Sequence, residues 1–164
     1  MRIYLLAFGK LKSPGFRLAC DHFLKMTSGW VKIEEIEMKP IAVPEKNQAL
    51  RKQIQKQENA LLTSELSKHL GPRGAFYLLD ERGKTFPTQE WAKLITTWEA
   101  TSIPEIALCI GSSLGFSEEL RKAARGLLAF GPQTLSHELA RLVCLEQLYR
   151  AFSVCRGHPY HNPD

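Results

Sequence analysis

The stretch FGPQTLSHELARLVCLEQLYRAFSVCRGHPYH, residues 130–161, runs from a strand end through a Gly-Pro turn and a long amphipathic helix into a histidine-rich tail. Gly131 opens backbone conformations closed to other residues, and Pro132 has no N–H to give a sheet ladder, so a strand ending at Phe130 must turn here. Ser136 then supplies a hydroxyl N-cap for a helix. Within that helix Leu139, Leu142, Val143, Leu145, Leu148, Tyr149 and Phe152 recur at helical spacing, whereas Arg141 and Arg150 fall off the apolar stripe. Gly157 and Pro159 stop it. The tail from Arg156 to His161 is dense in groups that donate, stack or exchange protons near neutral pH.

Outward from this stretch, short apolar runs alternate with helical patterns. Ile3 to Phe8, Gly74 to Asp80, Ile106 to Ile110 and Leu127 to Phe130 read as buried strands, and Val31 to Met38 as a half-exposed strand near a sheet edge. Between them, Phe16 to Leu24, Leu50 to Leu70 and Trp91 to Trp98 follow the helical rule, the last opened by Pro87 with Thr88 as its cap. Leu50, Ile54, Leu61, Leu62, Leu66 and Leu70 mark the apolar face of the second helix. Its other face carries Arg51, Lys52 and Lys56, which suit solvent or RNA phosphates equally. Lys39 to Asn47, with Pro40 and Pro44, reads as a loop. The alternation predicts one α/β domain over residues 1–164, a mostly parallel sheet covered by helices on both faces. Ligands in such sheets sit at the carboxyl ends of strands, here at Asp80 to Lys84, Gly111 to Gly115 and Gly131 to Leu135.

The 164 residues, 44% hydrophobic and 24% charged, describe a globular chain, and a formal net charge of +5 suits an anionic partner such as RNA. Cys20, Cys109, Cys144 and Cys155 form no CxxC pair, which argues against a zinc ribbon or a redox dithiol and for thiols buried in a reducing cytoplasm. The opening apolar run is too short for a signal peptide core, and no stretch approaches the roughly 20 apolar residues of a membrane span. Gly111 to Gly115 lacks the Lys-Ser/Thr of a phosphate-binding P-loop, and no GxGxxG follows any expected strand. Cys155, His158 and His161 are spaced by three, but Gly157 and Pro159 interrupt the helix that would align them, so no metal is expected. In the tail, Tyr160 suits stacking on an unpaired base, and Arg156, His158 and His161 suit phosphates or a base imide.

Three runs carry a family resemblance: residues 134–141, TLSHELAR; residues 145–152, LEQLYRAF; and residues 156–161, RGHPYH. With the opening MRIYLLAFGKLK, residues 77–83 and residues 110–115 in the same order and spacing, the chain resembles the RlmH family. Those are SPOUT-class methyltransferases acting on a pseudouridine of bacterial 23S ribosomal RNA. The resemblance implies a C-terminal trefoil knot, a homodimer, and S-adenosylmethionine held at Leu79, at Gly111 and at Phe130, Gly131, Pro132, Gln133, Thr134 and Leu135. It implies methyl transfer to N3 of a pseudouridine on the ribosome, with Tyr160, His161, Arg156 and His158 orienting the base, accepting its proton or steadying charge. Arg141 could steady charge too, or hold a structural or dimer contact, and the apolar stripe from Leu139 to Phe152 is either a dimer interface or core. Ser112 stands where the family usually has a second glycine, and Ser136 where it has proline. A different RNA substrate, or an RNA-binding ribosome-assembly factor without activity, are the alternatives.

Overall fold

The computed structural model describes residues 1–43 and 47–160, so Pro44 in the expected loop and His161 in the tail lie outside the described residues. Five strands, β1 (Arg2–Phe8), β2 (Lys32–Met38), β3 (Ala75–Thr85), β4 (Glu105–Ile110) and β5 (Gly126–Ala129), form one sheet in the order β2-β1-β4-β3-β5. All of its pairings are parallel. The helices are α1 (Pro14–Thr27), α2 (Gln48–His69), α3 (Thr88–Ala100), α4 (Glu118–Ala123) and α5 (His137–Cys155).

Successive side chains of a strand point to opposite faces, and β1 divides its residues accordingly. Ile3, Leu5 and Ala7 pack with Cys20 of α1, Trp91, Ile95 and Trp98 of α3, and Cys144, Leu145, Leu148 and Phe152 of α5. Tyr4, Leu6 and Phe8 pack on the other face with Leu62 and Leu66 of α2 and Leu120 of α4. β2 pairs only with β1, so it is an edge strand, and its alternating Glu and Ile residues fit that half-exposed position.

Several expectations need correction. Asp80 to Lys84 is not a loop: β3 continues to Thr85, because after a register shift between Leu79 and Lys84 the chain re-pairs with β5, Lys84 opposite Leu128 and Thr85 opposite Ala129. Thr88 is the first residue of α3 rather than its cap; Pro87 takes the cap position, and the Thr88 hydroxyl donates to Gln147 Oε1 at 3.3 Å. Leu61 is 47% exposed and leaves the apolar face of α2. Arg141 does the reverse, with only 1% exposure in the core. Its Nη1 donates to Glu37 Oε1 at 2.8 Å and its Nη2 to the Gly9 carbonyl, so charge pairing holds a guanidinium where the spacing pointed outward. Ser136 does cap α5, accepting from the Leu139 N–H. Most of the α5 stripe is consumed by the chain's own core, with Leu145, Leu148 and Phe152 fully buried.

β3 and β5 pass each other closely at Gly83, where a Cβ would stand 2.6 Å from the Leu127 carbonyl carbon and 2.7 Å from the Leu128 nitrogen. Those are backbone atoms that cannot rotate away. Gly83→Ala is therefore expected to lower stability by about 2 kcal/mol through overpacking, read as a shifted urea midpoint.

Candidate active site

The carboxyl ends of β1, β3, β4 and β5 open into one cleft of about 620 Å3. Phe8, Leu79, Ile110 and Leu128 give it apolar walls, and its rim is made of residues 80–82, the loop 111–116 and the loop 130–137. Of the positions that the resemblance assigns to a cofactor, Leu79, Gly111, Phe130, Gly131, Gln133, Thr134 and Leu135 line this cleft; Pro132 does not, and is exposed on the outer side of its turn.

Each rim loop is fixed by identifiable contacts. A Cβ on Gly111 would lie 3.2 Å from Phe116 Cζ and 3.4 Å from Gly115 Cα, so the 111–116 loop closes tightly on itself. Gly115 itself has φ +65°. Three residues of α2 then hold the loop from outside. Gln55 Nε2 donates to the Leu114 carbonyl at 2.6 Å, Glu58 Oε2 accepts from the Ser112 hydroxyl at 2.5 Å, and Asn59 Oδ1 accepts from the Ser117 N–H at 2.8 Å. Glu58, 1% exposed, also accepts from the Ile41 N–H at 2.8 Å and so ties the segment after β2 to the same loop.

On the opposite rim Phe130 stacks on Trp91 with centroids 5.9 Å apart and planes at 12°, and the Thr134 hydroxyl donates to Glu81. His137 closes the end of the cleft by lying against Gly9, whose φ is +99° and whose Cβ would meet His137 Nε2 at 2.6 Å. Nε2 lies 3.2 Å from the Lys10 carbonyl oxygen, so it carries the proton. Glu138 accepts from the Ser13 N–H at 3.0 Å and from the Lys12 N–H, which docks the start of α5 on the turn after β1. Asp80 forms the charged side of the cleft with Arg121, Nε to Oδ2 2.7 Å, the two side chains 6% and 12% exposed.

The tail stands elsewhere. Arg156 pairs with Glu99 of α3, and His158 packs edge-on against Trp30 at 5.5 Å and Tyr149 at 6.3 Å. Tyr160 sits edge-on to Tyr149 at 4.6 Å, with the Arg150 guanidinium 4.8 Å from its ring centroid and its hydroxyl 3.4 Å from Glu146 Oε1. Burial and the neighbouring Glu146 carboxylate raise the Tyr160 pKa, so the phenol keeps its proton at neutral pH. Cys155 donates to the Ala92 carbonyl at 3.4 Å and lies 3.6 Å from the Thr96 hydroxyl. The tail folds back along α5, so Tyr160, against Glu146 and Tyr149, lies about 14–18 Å of helix from the end of the cleft at His137.

Glu58, Gln55 and Arg121 were not singled out as site residues by the sequence, and Asp80 only as the start of an expected strand-end loop. Glu58 had a readable signal, because it interrupts the i+4 row Ile54, Leu62 and Leu66 with a carboxylate. The Asp80–Arg121 pair joins residues distant in sequence, and neither residue alone distinguishes it.

Backbone-lined loops over an apolar floor, at the carboxyl ends of adjacent parallel strands, define an α/β domain built to hold a small organic ligand. The chain belongs to the SPOUT methyltransferase family and, within it, to the RlmH family. The family model described as "Predicted SPOUT methyltransferase" matches residues 1–161. The chain is 35% identical over 162 residues to the ribosomal RNA large subunit methyltransferase H of Streptococcus suis, covering 98% of this chain and 99% of that protein. It is 36% identical over 154 residues to the protein of the same name from Maridesulfovibrio salexigens, covering 94% of each. Among solved structures, a probable methylase family protein from Haemophilus influenzae superposes with a TM-score of 0.58 at 16% identity, over 98% of this chain and 70% of that one. A probable methyltransferase from Bordetella pertussis gives 0.52 at 16%, over 92% and 95%. The two superpositions bear on the fold alone.

Proposed function

We propose that this chain transfers a methyl group from S-adenosylmethionine to N3 of a pseudouridine in large-subunit ribosomal RNA, acting in the cytoplasm on the assembled ribosome. The observation that carries the proposal is the cleft, in which the loops 111–116 and 130–135 meet over an apolar floor. It fits the donor. A volume of about 620 Å3 lies in the range of small-molecule sites, roughly 300–1,000 Å3. The cleft lining sets the carboxylates of Glu58, Asp80 and Glu81 against the guanidinium groups of Arg82 and Arg121, a balance that admits a cationic sulfonium. Leu79, Gly111 and residues 130–135 would hold the donor, with backbone groups meeting its polar parts and Phe130, kept in place by Trp91, giving an apolar wall. When bound, S-adenosylmethionine supplies an electrophilic methyl on a sulfonium. The threaded knot of the class belongs to the same proposal, and the close passage of Gly83 against Leu127 and Leu128 supports it.

The chain's task at the acceptor is to present a base and take a proton from its imide, because N3 attacks well only once deprotonated. Tyr160 keeps its proton and so orients the base rather than acting as the acceptor, which leaves that role to His158 or His161. Arg156 steadies developing charge. Tyr160, about 14–18 Å along α5 from its own cleft, does not reach it, so the proposal includes a homodimer in which the tail of one copy completes the cleft of the other.

Titration calorimetry with S-adenosylmethionine tests the donor site. The protein is expected to bind it, and Thr134→Trp, which places bulk at an exposed position of the cleft wall, to weaken binding by about tenfold or more. No binding by the unaltered protein would overturn the enzymatic reading in favour of an RNA-binding factor.

A further inference from the structure

We infer that the outward face of α2, with Arg51, Lys52 and Lys56 and joined by Lys122 of α4, is the surface that receives the phosphate backbone of the substrate RNA beside the cleft. This rests on the RNA reading above and assigns it a place on the molecule. All four side chains are exposed, and none has a carboxylate within ion-pair distance among the described residues. Arg2, Arg17 and Lys32, by contrast, are paired. Arg2 and Lys32 share Glu34 at 3.6 and 2.9 Å, and Arg17 pairs with Asp21 at 2.8 Å and Glu35 at 2.5 Å.

Lys56 of α2 and Lys122 of α4 come together, with Lys52 one turn away from Lys56 along α2. Glu119, whose carboxyl is held low by its own backbone N–H and the Ser117 hydroxyl, is held lower still by Lys56 and Lys122, which places the α2 and α4 charges around one spot. On the same helix Gln55 follows Arg51 by four positions and Asn59 follows Lys56 by three, so the residues that hold the 111–117 loop stand beside the cations. Phosphates bound at these cations therefore lie within about one helix diameter, 10–12 Å, of the loop that rims the cleft.

Plain solvation of a helix surface explains the pattern less well. Arg51 and Lys52 stand in the second turn of α2, where cations oppose the helix dipole, and the first turn has no acid to offset them. The exposed residues between the cations, Gln53 and Gln57, are polar and give lipid nothing to take up, so the patch fits a nucleic-acid backbone better than a membrane.

The triple variant Arg51→Gln/Lys52→Gln/Lys56→Gln tests the inference, since all three positions are exposed and glutamine is a good helix former. Binding to large ribosomal subunits from cells lacking the protein is measured over a salt series. Each lost phosphate contact should flatten the log–log salt dependence by about 0.7–0.9, so the variant is expected to lose about two units of slope and bind at least tenfold more weakly at low salt. Its affinity for S-adenosylmethionine is expected to be unchanged. Wild-type slope and affinity in the variant would overturn the inference. So would a parallel loss of donor affinity, which would show the residues acting on the cleft, or binding of the wild type to phosphatidylglycerol vesicles in place of subunits. If the wild type binds donor but no subunits at any salt, the RNA reading itself fails and takes this surface with it.

Discussion

Replacing both Tyr160 and His161 with alanine is expected to lower methyl transfer by about a hundredfold or more, the range for losing base positioning and a proton acceptor, while S-adenosylmethionine binds with unchanged affinity. The separation of functions follows from geometry. The described residues of the cleft wall gather at the carboxyl edge of the sheet, whereas Tyr160 rests on Tyr149 and Arg150 in the second half of α5. A tail that served only to seal the core around Tyr149 would, when removed, lower stability and donor affinity together. The double variant also separates a self-contained site from a shared one. Mixed with Thr134→Trp, which has a sound tail and an obstructed cleft, it should regain activity, because a heterodimer pairs one good cleft with one good tail. Random exchange between the two variants restores about one quarter of the sites. No recovery after exchange into heterodimers would show that each cleft is served by its own chain.

Arg141→Met is expected to cost about 3 kcal/mol, near the lower end for breaking a buried ion pair because Glu37 stays 33% exposed while Arg141 is 1% exposed. The loss should appear as a lower urea midpoint with an unchanged slope. Methionine fills similar volume but leaves the Gly9 carbonyl and Glu37 without their donor, at the turn that supports His137 and the end of the cleft. The pH dependence gives a second reading of the same contact. Burial raises the Glu37 pKa, but the Leu11 N–H and Arg141 outweigh it and hold the folded value below that of a free carboxylate. Such a group contributes stability that is present above the unfolded pKa and lost as pH falls through the lower, folded one. The unaltered protein should therefore lose stability through the acid range more steeply than Arg141→Met. Equal acid profiles would show that Arg141 acts by packing alone.

Much of the architecture was legible because it rests on local rules. Continuous apolar runs such as Ile3 to Phe8 can only be covered on both faces, and a strand that alternates Glu with Ile, as β2 does, can only lie at an edge. The loops at Gly111 and Gly131 could be found as glycine breaks after apolar strands. What stayed hidden depends on partners distant in sequence. Arg141 looks like a surface residue until Glu37 and the Gly9 carbonyl are brought to it. Asp80 to Lys84 carries turn residues, yet β5 recaptures it as strand. The distance between cleft and tail could not be read at all, since in sequence the 130–135 loop and residues 156–161 flank a single helix and look like neighbours of one site.

The central claim is tested most directly by incubating the purified protein with S-adenosylmethionine and large ribosomal subunits from cells lacking it, then analysing the RNA nucleosides by mass spectrometry. The account predicts one new methyl group, on N3 of a pseudouridine, its formation suppressed in Thr134→Trp and in the Tyr160/His161 double variant. RNA that gains no methyl, or gains it equally with the obstructed cleft, would contradict it.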